Sequence, residues 1–206
     1  MTHSPCFLGS IASLLLLTTA HLFAEAPAKK QITIAIQPFA GFNVELTQLV
    51  AKNLSKEFGA AVKILPDKPL PKAAFYQPRS RYRADLLLDH LAGQIDPQHT
   101  KILGLTRKDI STTKGDVYDW GIFGLGSLGG EPCVVSSFRL RARGADEKLF
   151  RQRLVRVATH EIGHTLGLPH CPDPQCNMVD AKGSILSVDQ GTGTLCKKCQ
   201  KEVLKN

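Results

Sequence analysis

Aromatic side chains are scarce in this chain: three tyrosines and one tryptophan stand among 206 residues, and aromatics make up 6% of the total. No tyrosine or tryptophan falls in the densest basic stretch, Arg139 to Arg156, which leaves no row of such rings there on which successive bases could stack and argues against nucleic acid as a partner. Charge is missing altogether from Met1 to Ala24. Beyond that segment no apolar run approaches the ~20 residues that a bilayer demands, which excludes a multi-pass helical membrane protein. Heptads, Gly-X-Y triplets, internal repeats and low-complexity tracts are also missing, so coiled coils, collagens and solenoids are excluded. With 43% hydrophobic and 21% charged residues, disorder is excluded as well. What remains is a globular chain of one-domain size, able to bury roughly 70% of its unfolded surface without disulfides.

The charge that is present leans one way, with 26 Lys and Arg against 18 Asp and Glu, a net +8. Basicity of this size suits an acidic partner, but it is spread along the chain. The densest stretch, Arg139 to Arg156, holds seven basic residues against Asp146 and Glu147. It reads as a solvated helix face and loop, with an acidic-substrate or nucleic-acid patch as the alternative.

At the N-terminus, Phe7–Ala20 (FLGSIASLLLLTTA) has the length of a signal-peptide apolar region, and the small residues of LFAEAPA follow it. Cleavage after Ala20, Ala24, Ala26 or Ala28 and export from the cytoplasm are the expectation for residues 1–24. The uncharged run Phe7–Ala24 is 18 residues long, so an uncleaved membrane anchor is the rival, and a cytoplasmic chain with a misplaced start is the third reading. Cys6 stands outside the fold argument.

Along the rest of the chain, Gln31–Phe39 alternates apolar and polar residues and reads as a strand. Asn43 is placed to cap a helix with apolar positions Leu46, Leu49, Val50, Leu54 and Phe58, and Gly59 to end it. Val62–Leu65 follows as a strand, and Pro66, Pro69 and Pro71 enforce an extended connection. A helix is expected near Ala84–Leu91, and strands at Lys101–Leu105, Val117–Leu125 and Cys133–Leu140. A long helix begins at about Asp146, with Phe150, Leu154, Val157 and Ala158 facing inward. The alternation of strands and helices predicts an α/β (α+β) domain with one mixed sheet, covering residues 31–206. From Leu168 onward the chain is Pro- and Cys-rich and shows no clear periodicity. Residues 31–167 and 168–206 therefore divide into an upper part and a small C-terminal part.

The long helix carries His160-Glu161-Ile162-Gly163-His164, followed by Thr165-Leu166-Gly167-Leu168-Pro169-His170. Spacing of i, i+4 puts His160 and His164 on one helix face, where two imidazoles can hold one zinc ion at ~2.0–2.1 Å. Glu161 leaves from the same turn, within reach of a water on that ion. Gly167 can adopt the left-handed conformation that ends a helix and turns the chain, bringing His170 back as a third ligand. Three neutral ligands leave the fourth position open, the arrangement of a catalytic site. The extended pattern with the glycine and third histidine is far more specific than the bare five-residue motif.

Cys171, Cys176, Cys196 and Cys199 give C-x4-C, a gap of 19 residues and C-x2-C. That spacing matches a four-thiolate structural zinc site that would pin the tail, with two disulfides as the rival in an oxidising compartment. Cys133 is left over as a buried strand residue. Gly124-Leu-Gly126-Ser-Leu-Gly129 matches a dinucleotide-binding fingerprint, but Gly130, Glu131 and Pro132 stand where a helix should start, so it is set aside. Cys196-Lys-Lys-Cys199 has no strand-then-helix context for redox chemistry, and His90 and His99 read as surface or helix residues.

His160–His170 followed by Cys171, Cys176, Met178, Cys196 and Cys199 resembles the archaemetzincin signature, including the 17 residues between Met178 and Cys196. The resemblance extends more weakly to QPRSRY, ADLLL, KILGLT and EPCVVSSFRL. It implies the metzincin clan of zinc metallopeptidases: a twisted mixed sheet above the active-site helix, and two zinc ions, one catalytic and one structural. It implies Met178 as a methionine turn beneath the catalytic ion, and Val134–Phe138 as the cleft-edge strand that pairs with an extended peptide. The export-like N-terminus departs from the mostly cytosolic pattern of the family. The expected activity is hydrolysis of peptide bonds, with Glu161 taking the proton from a zinc-activated water. A monomer acting on peptides or proteins is expected, touching a membrane only if the N-terminal segment stays uncleaved. The alternatives are a silent zinc-stabilised binding module, which would have no use for Glu161, and a zinc hydrolase of non-peptide amides. Metal storage fails, because seven ligands suit two defined sites and no cluster.

Overall fold

A computed structural model describes residues 1–3 and 31–205. The expected signal segment with its cleavage sites, and Cys6, fall outside the described residues. No helix among the described residues is long and apolar enough to cross a membrane.

In chain order the elements are β1 (Thr33–Pro38), α1 (Val44–Phe58), β2 (Ala61–Ile64), β3 (Phe75–Tyr76), β4 (Arg81–Arg83), α2 (Ala84–Ala92) and β5 (Lys101–Thr106). There follow β6 (Ile110–Lys114), β7 (Val117–Ile122), β8 (Gly124–Gly126), β9 (Pro132–Ser136), α3 (Glu147–Thr165), α4 (Ile185–Gln190) and α5 (Lys197–Val203). The mixed α/β architecture agrees with the sequence reading, but the strands form two sheets instead of one. The larger has the order β2-β1-β5-β9-β8, and the smaller β3-β4-β6-β7. In the larger sheet β2, β1, β5 and β9 run parallel, and only β8 runs antiparallel to its neighbour.

The central strands are apolar on both faces because both are covered. Ile34, Ile36, Leu103, Leu105, Cys133 and Val135 face α1 and α3, while Ala35, Ile102 and Val134 face the layer containing α2. Helix α1 forms where the spacing placed it. The Asn43 side chain accepts from Leu46 N at 2.9 Å, and Gly59 closes the helix at φ 62. Leu46, Val50, Leu54 and Phe58 are its buried stripe.

Three expectations need correction. Residues Phe138–Gly144 do not continue a strand but turn as a 3-10 segment, since β9 stops at Ser136 where its side-chain hydroxyl accepts from Phe138 N at 3.2 Å. The strand expected at Val117–Leu125 breaks at Phe123 into β7 and β8, which belong to different sheets, while the tail without clear periodicity holds α4 and α5, too short for periodicity to show. Strand β9 has no free edge, being paired with β5 on one side and β8 on the other. The outer strand beside the motif helix is therefore β8, not Val134–Phe138.

Candidate metal centre

Helix α3 is fixed before it reaches its motif. Asp146 caps it, accepting from Leu149 N at 2.7 Å, and Phe150, Leu154, Val157, Ala158 and Ile162 bury its inner face. At the far end Gly167 stands at φ 85, with its N–H on His164 O at 2.9 Å and Leu168 N on Gly163 O at 3.0 Å. This glycine-based stop turns the chain back, as the sequence predicts, and delivers His170 to the same face as His160 and His164. The three rings have centroid separations of 4.6, 5.4 and 4.9 Å. One nitrogen from each lies within 4.8 Å of the others.

Tautomers follow from the hydrogen bonds. His160 Nδ1 stands 2.8 Å from Asn177 O, and His164 Nδ1 stands 2.8 Å from Leu168 O. A carbonyl only accepts, so each Nδ1 donates and each neutral ring keeps a lone pair on Nε2. Those two Nε2 atoms face one another at 3.0 Å. Two lone pairs held so close repel unless a cation lies between them, and tetrahedral zinc with ~2.0–2.1 Å bonds would space them by about 3.3 Å. Burial lowers the pKa of His160 to about 4, with the neighbouring His164 adding to the effect, and burial likewise lowers His164. Both rings are thus in the neutral, ligating state at ordinary pH. The donor set fits a zinc ion.

Glu161 points to the cleft from between them and is only 7% exposed. Burial without a charged partner pushes its carboxyl up to about 8. Its room comes from β8. A β-carbon on Gly124 would stand 2.7 Å from Glu161 Cγ and Oε1, and one on Gly126 would stand 2.6 Å from the Glu161 carbonyl oxygen. The glycine pattern that mimics a dinucleotide fingerprint is thus the close approach of an edge strand to the motif helix. Strand and helix enclose a cavity of about 540 Å³, whose other walls include Trp120, Phe123, Val188 and Asp180.

The four cysteines of the tail also converge. Their sulfurs lie within 4.8 Å of one another, with Cys171 to Cys196 at 3.9 Å and Cys176 to Cys199 at 3.7 Å. A disulfide needs ~2.05 Å, whereas a tetrahedral site with ~2.3 Å zinc–sulfur bonds has edges of about 3.8 Å. The thiols are unbridged, and their spacing fits a metal. A hydrogen bond from the Cys199 backbone N–H draws the Cys196 thiol down to about 7. Burial pushes Cys176 and Cys199 up. Cys133 lies apart, fully buried in β9, as expected of a core residue.

Between the two centres, Met178 is fully buried, with its carbonyl accepting from Cys171 N at 2.8 Å. It lies directly under Gly163 of the motif helix, where a β-carbon would come within 3.1 Å of Met178 Cε. Sequence reasoning missed three contributors. Asn177 orients His160 through its carbonyl while its side chain donates to Arg156 O at 2.9 Å. Asp180 stands 3.9 Å from His170 Nδ1. The β8 glycines were visible but assigned to a rejected motif.

The chain matches the model of peptidase family M54 over residues 31–205. It is 35% identical over 170 residues to an archaemetzincin of Archaeoglobus fulgidus, covering 82% of this chain and 98% of that relative. It is 36% identical over 137 residues to an archaemetzincin of Methanopyrus kandleri, covering 66% and 74%. The crystal structures of those two proteins superpose with TM-scores of 0.70 and 0.72, at 34% and 30% identity, covering 83% and 87% of this chain and 99% and 97% of theirs. A zinc-dependent peptidase from Methanocorpusculum labreanum superposes at 0.71, with 26% identity over 82% of this chain and 99% of that one. The chain belongs to peptidase family M54, the archaemetzincin family of zinc metallopeptidases.

Proposed function

We propose that the chain hydrolyses peptide bonds in the cleft between β8 and α3, with His160, His164 and His170 holding a catalytic zinc and Glu161 serving as general base. The observation that carries this is the inward pair of Nε2 lone pairs beside a buried carboxyl. When bound, zinc supplies Lewis acidity toward a water and toward the scissile carbonyl. With a cation held by the three imidazoles, Glu161 would be favoured as the carboxylate, and its Oε1 or Oε2 would accept a proton from the attacking water. Glu161 then returns that proton to the leaving amine nitrogen. The half-closed cavity keeps bulk water from the carboxyl. Asn177 O and Leu168 O hold the two helix imidazoles in register.

An extended peptide would add to the free edge of β8, where main-chain groups supply affinity irrespective of sequence. A second zinc on Cys171, Cys176, Cys196 and Cys199 would close the tail under the motif helix. We also propose export directed by residues 1–24, supported by the uncharged apolar run and the small residues after it. N-terminal sequencing of the mature chain checks that part, since an intact Met1 contradicts it.

The test of the activity is cleavage of a mixed peptide library followed by mass spectrometry. Expected are internal or terminal cuts that disappear with a chelator and return with zinc. A library left whole by the zinc-loaded chain, alongside turnover of a small non-peptide amide, would assign the other hydrolase reading.

A further inference from the structure

A second concavity adjoins the cleft, and Phe123 and Gly183 line both. Its polar wall consists of Arg79, Arg81 and Arg139 around Asp109. Asp109 is fully engaged. Its Oδ1 accepts from Arg139 Nε at 2.6 Å, and its Oδ2 accepts from Arg139 Nη2 at 2.9 Å and Arg81 Nε at 2.8 Å. Asp119 takes up Arg81 Nη1 through its carbonyl at 2.8 Å and stands 3.4 Å from Arg79 Nε. Three guanidiniums thus face two carboxylates, and one positive charge is left over.

The arginines are held with donors to spare. Arg139 Nη1, Arg81 Nη2 and both Nη atoms of Arg79 have no hydrogen-bond partner among the described residues. The seat for Arg139 is built in, because a β-carbon on Gly121 would overlap its guanidinium and lie 2.7 Å from Nη1. Asp109 takes the Nε side of both Arg139 and Arg81, so that Arg139 Nη1 and Arg81 Nη2 keep donors for a ligand carboxylate. The apolar walls, Phe123, Phe138 and Ile185, suit the stem of an extended peptide.

We propose that this arginine recess is a substrate subsite that takes a carboxylate of the peptide lying in the cleft, either an acidic side chain or the C-terminal carboxylate. The inference rests on the peptidase reading for the presence of a peptide, but its test does not depend on turnover. The probe set is a neutral peptide in which one glutamate is walked through every position, each with its glutamine control. A further pair ends in a free acid or an amide. Binding is measured by fluorescence anisotropy on the full-length, zinc-loaded chain carrying Glu161→Gln.

The expected result is one position at which glutamate binds at least ~10-fold tighter than glutamine, or a free acid that binds at least ~10-fold tighter than its amide, the scale of one charge-assisted hydrogen bond. The first outcome assigns a side-chain carboxylate, and the second the chain terminus. The preference falls to about 2-fold in Arg139→Gln and in Arg79→Gln, and shrinks as salt is raised to 0.5 M, on the scale where charges are screened beyond ~3–5 Å. Arg79 is 63% exposed, so its variant reports even if Arg139→Gln does not fold. Equal affinities, a preference indifferent to both arginines, or no affinity for any peptide overturns the subsite. Cleavage of the same peptides by the unsubstituted chain is scored separately. Cutting without preference overturns the subsite and spares the peptidase reading, and preference in binding without any cutting does the reverse.

Discussion

Gly163 and Met178 share one volume that only one of them can fill. The methionine is fully buried beneath the motif helix, and its sulfur and methyl occupy the place where a side chain on residue 163 would project. Alanine at 163 would favour the helix by about 1 kcal/mol, but it would force Met178 aside at a cost of about 1–3 kcal/mol. Gly163→Ala is therefore expected to lower stability by up to about 2 kcal/mol, and Met178→Ala alone to lower it by about 2–5 kcal/mol through the void it leaves. The double variant should be less damaged than the sum. Urea unfolding at fixed zinc measures all three, and simple additivity would show that the two residues do not compete.

Arg153 ties the motif helix to the tail. It is 1% exposed, forms paired hydrogen bonds to Asp189 at 2.8 and 2.7 Å, and donates through Nη1 to Leu140 O and Ala142 O at 2.8 Å each. Asp189→Asn leaves a buried guanidinium without its counter-charge, and a loss of about 3 kcal/mol is expected. A shift in the unfolding midpoint worth less than about 1 kcal/mol would contradict this account of how the tail is anchored.

The same arginine shows where sequence reading ran out. Arg139–Arg156 has the composition of a solvated face, and Arg141 and Arg151 do pair with Glu147 at the surface. Arg153 and Arg139, identical in kind, are instead clamped by Asp189 and Asp109, each at least 30 positions away along the chain. No local pattern encodes such pairs. The motif helix, its start near Asp146, the stop at Gly167 and the first helix with its cap were legible, because caps and stripes are local. Strands β3, β4 and β6 were not, since two to five residues carry too little alternation, and neither was the edge position of β8, which depends on how β9 is paired. His160, His164, His170 and the four tail cysteines do converge into two clusters, as their spacing implied.

In the zinc-free chain Glu161 should make stability depend on pH. Burial holds its folded pKa at about 8 against the ordinary 4.5, so the folded state keeps a proton that the unfolded state has already lost. Stability therefore falls as pH rises from 4.5 toward 8, because the unfolded chain gives up the proton that the folded chain keeps, and it levels off above 8 once the folded carboxyl ionises too. Between pH 7 and 8.5 the chain is expected to lose roughly 1 kcal/mol relative to Glu161→Gln. Denaturant midpoints of both chains, stripped with a chelator, give the comparison. Parallel curves would mean that Glu161 is not buried in this way.

Native mass spectrometry of protein purified without chelators is expected to find two zinc ions per chain. Serine at Cys176 and Cys199 should remove one, and alanine at His160 and His164 the other. A mass lower by two or four hydrogens, with one zinc or none, would show that Cys171, Cys176, Cys196 and Cys199 are disulfides.

The role of Glu161 is the central claim, and the most direct measurement is the rate of peptide cleavage by Glu161→Ala with its zinc content determined on the same sample. The account predicts full zinc and a rate lower by at least ~100-fold, the scale of general acid–base catalysis. Undiminished turnover with zinc in place would contradict it.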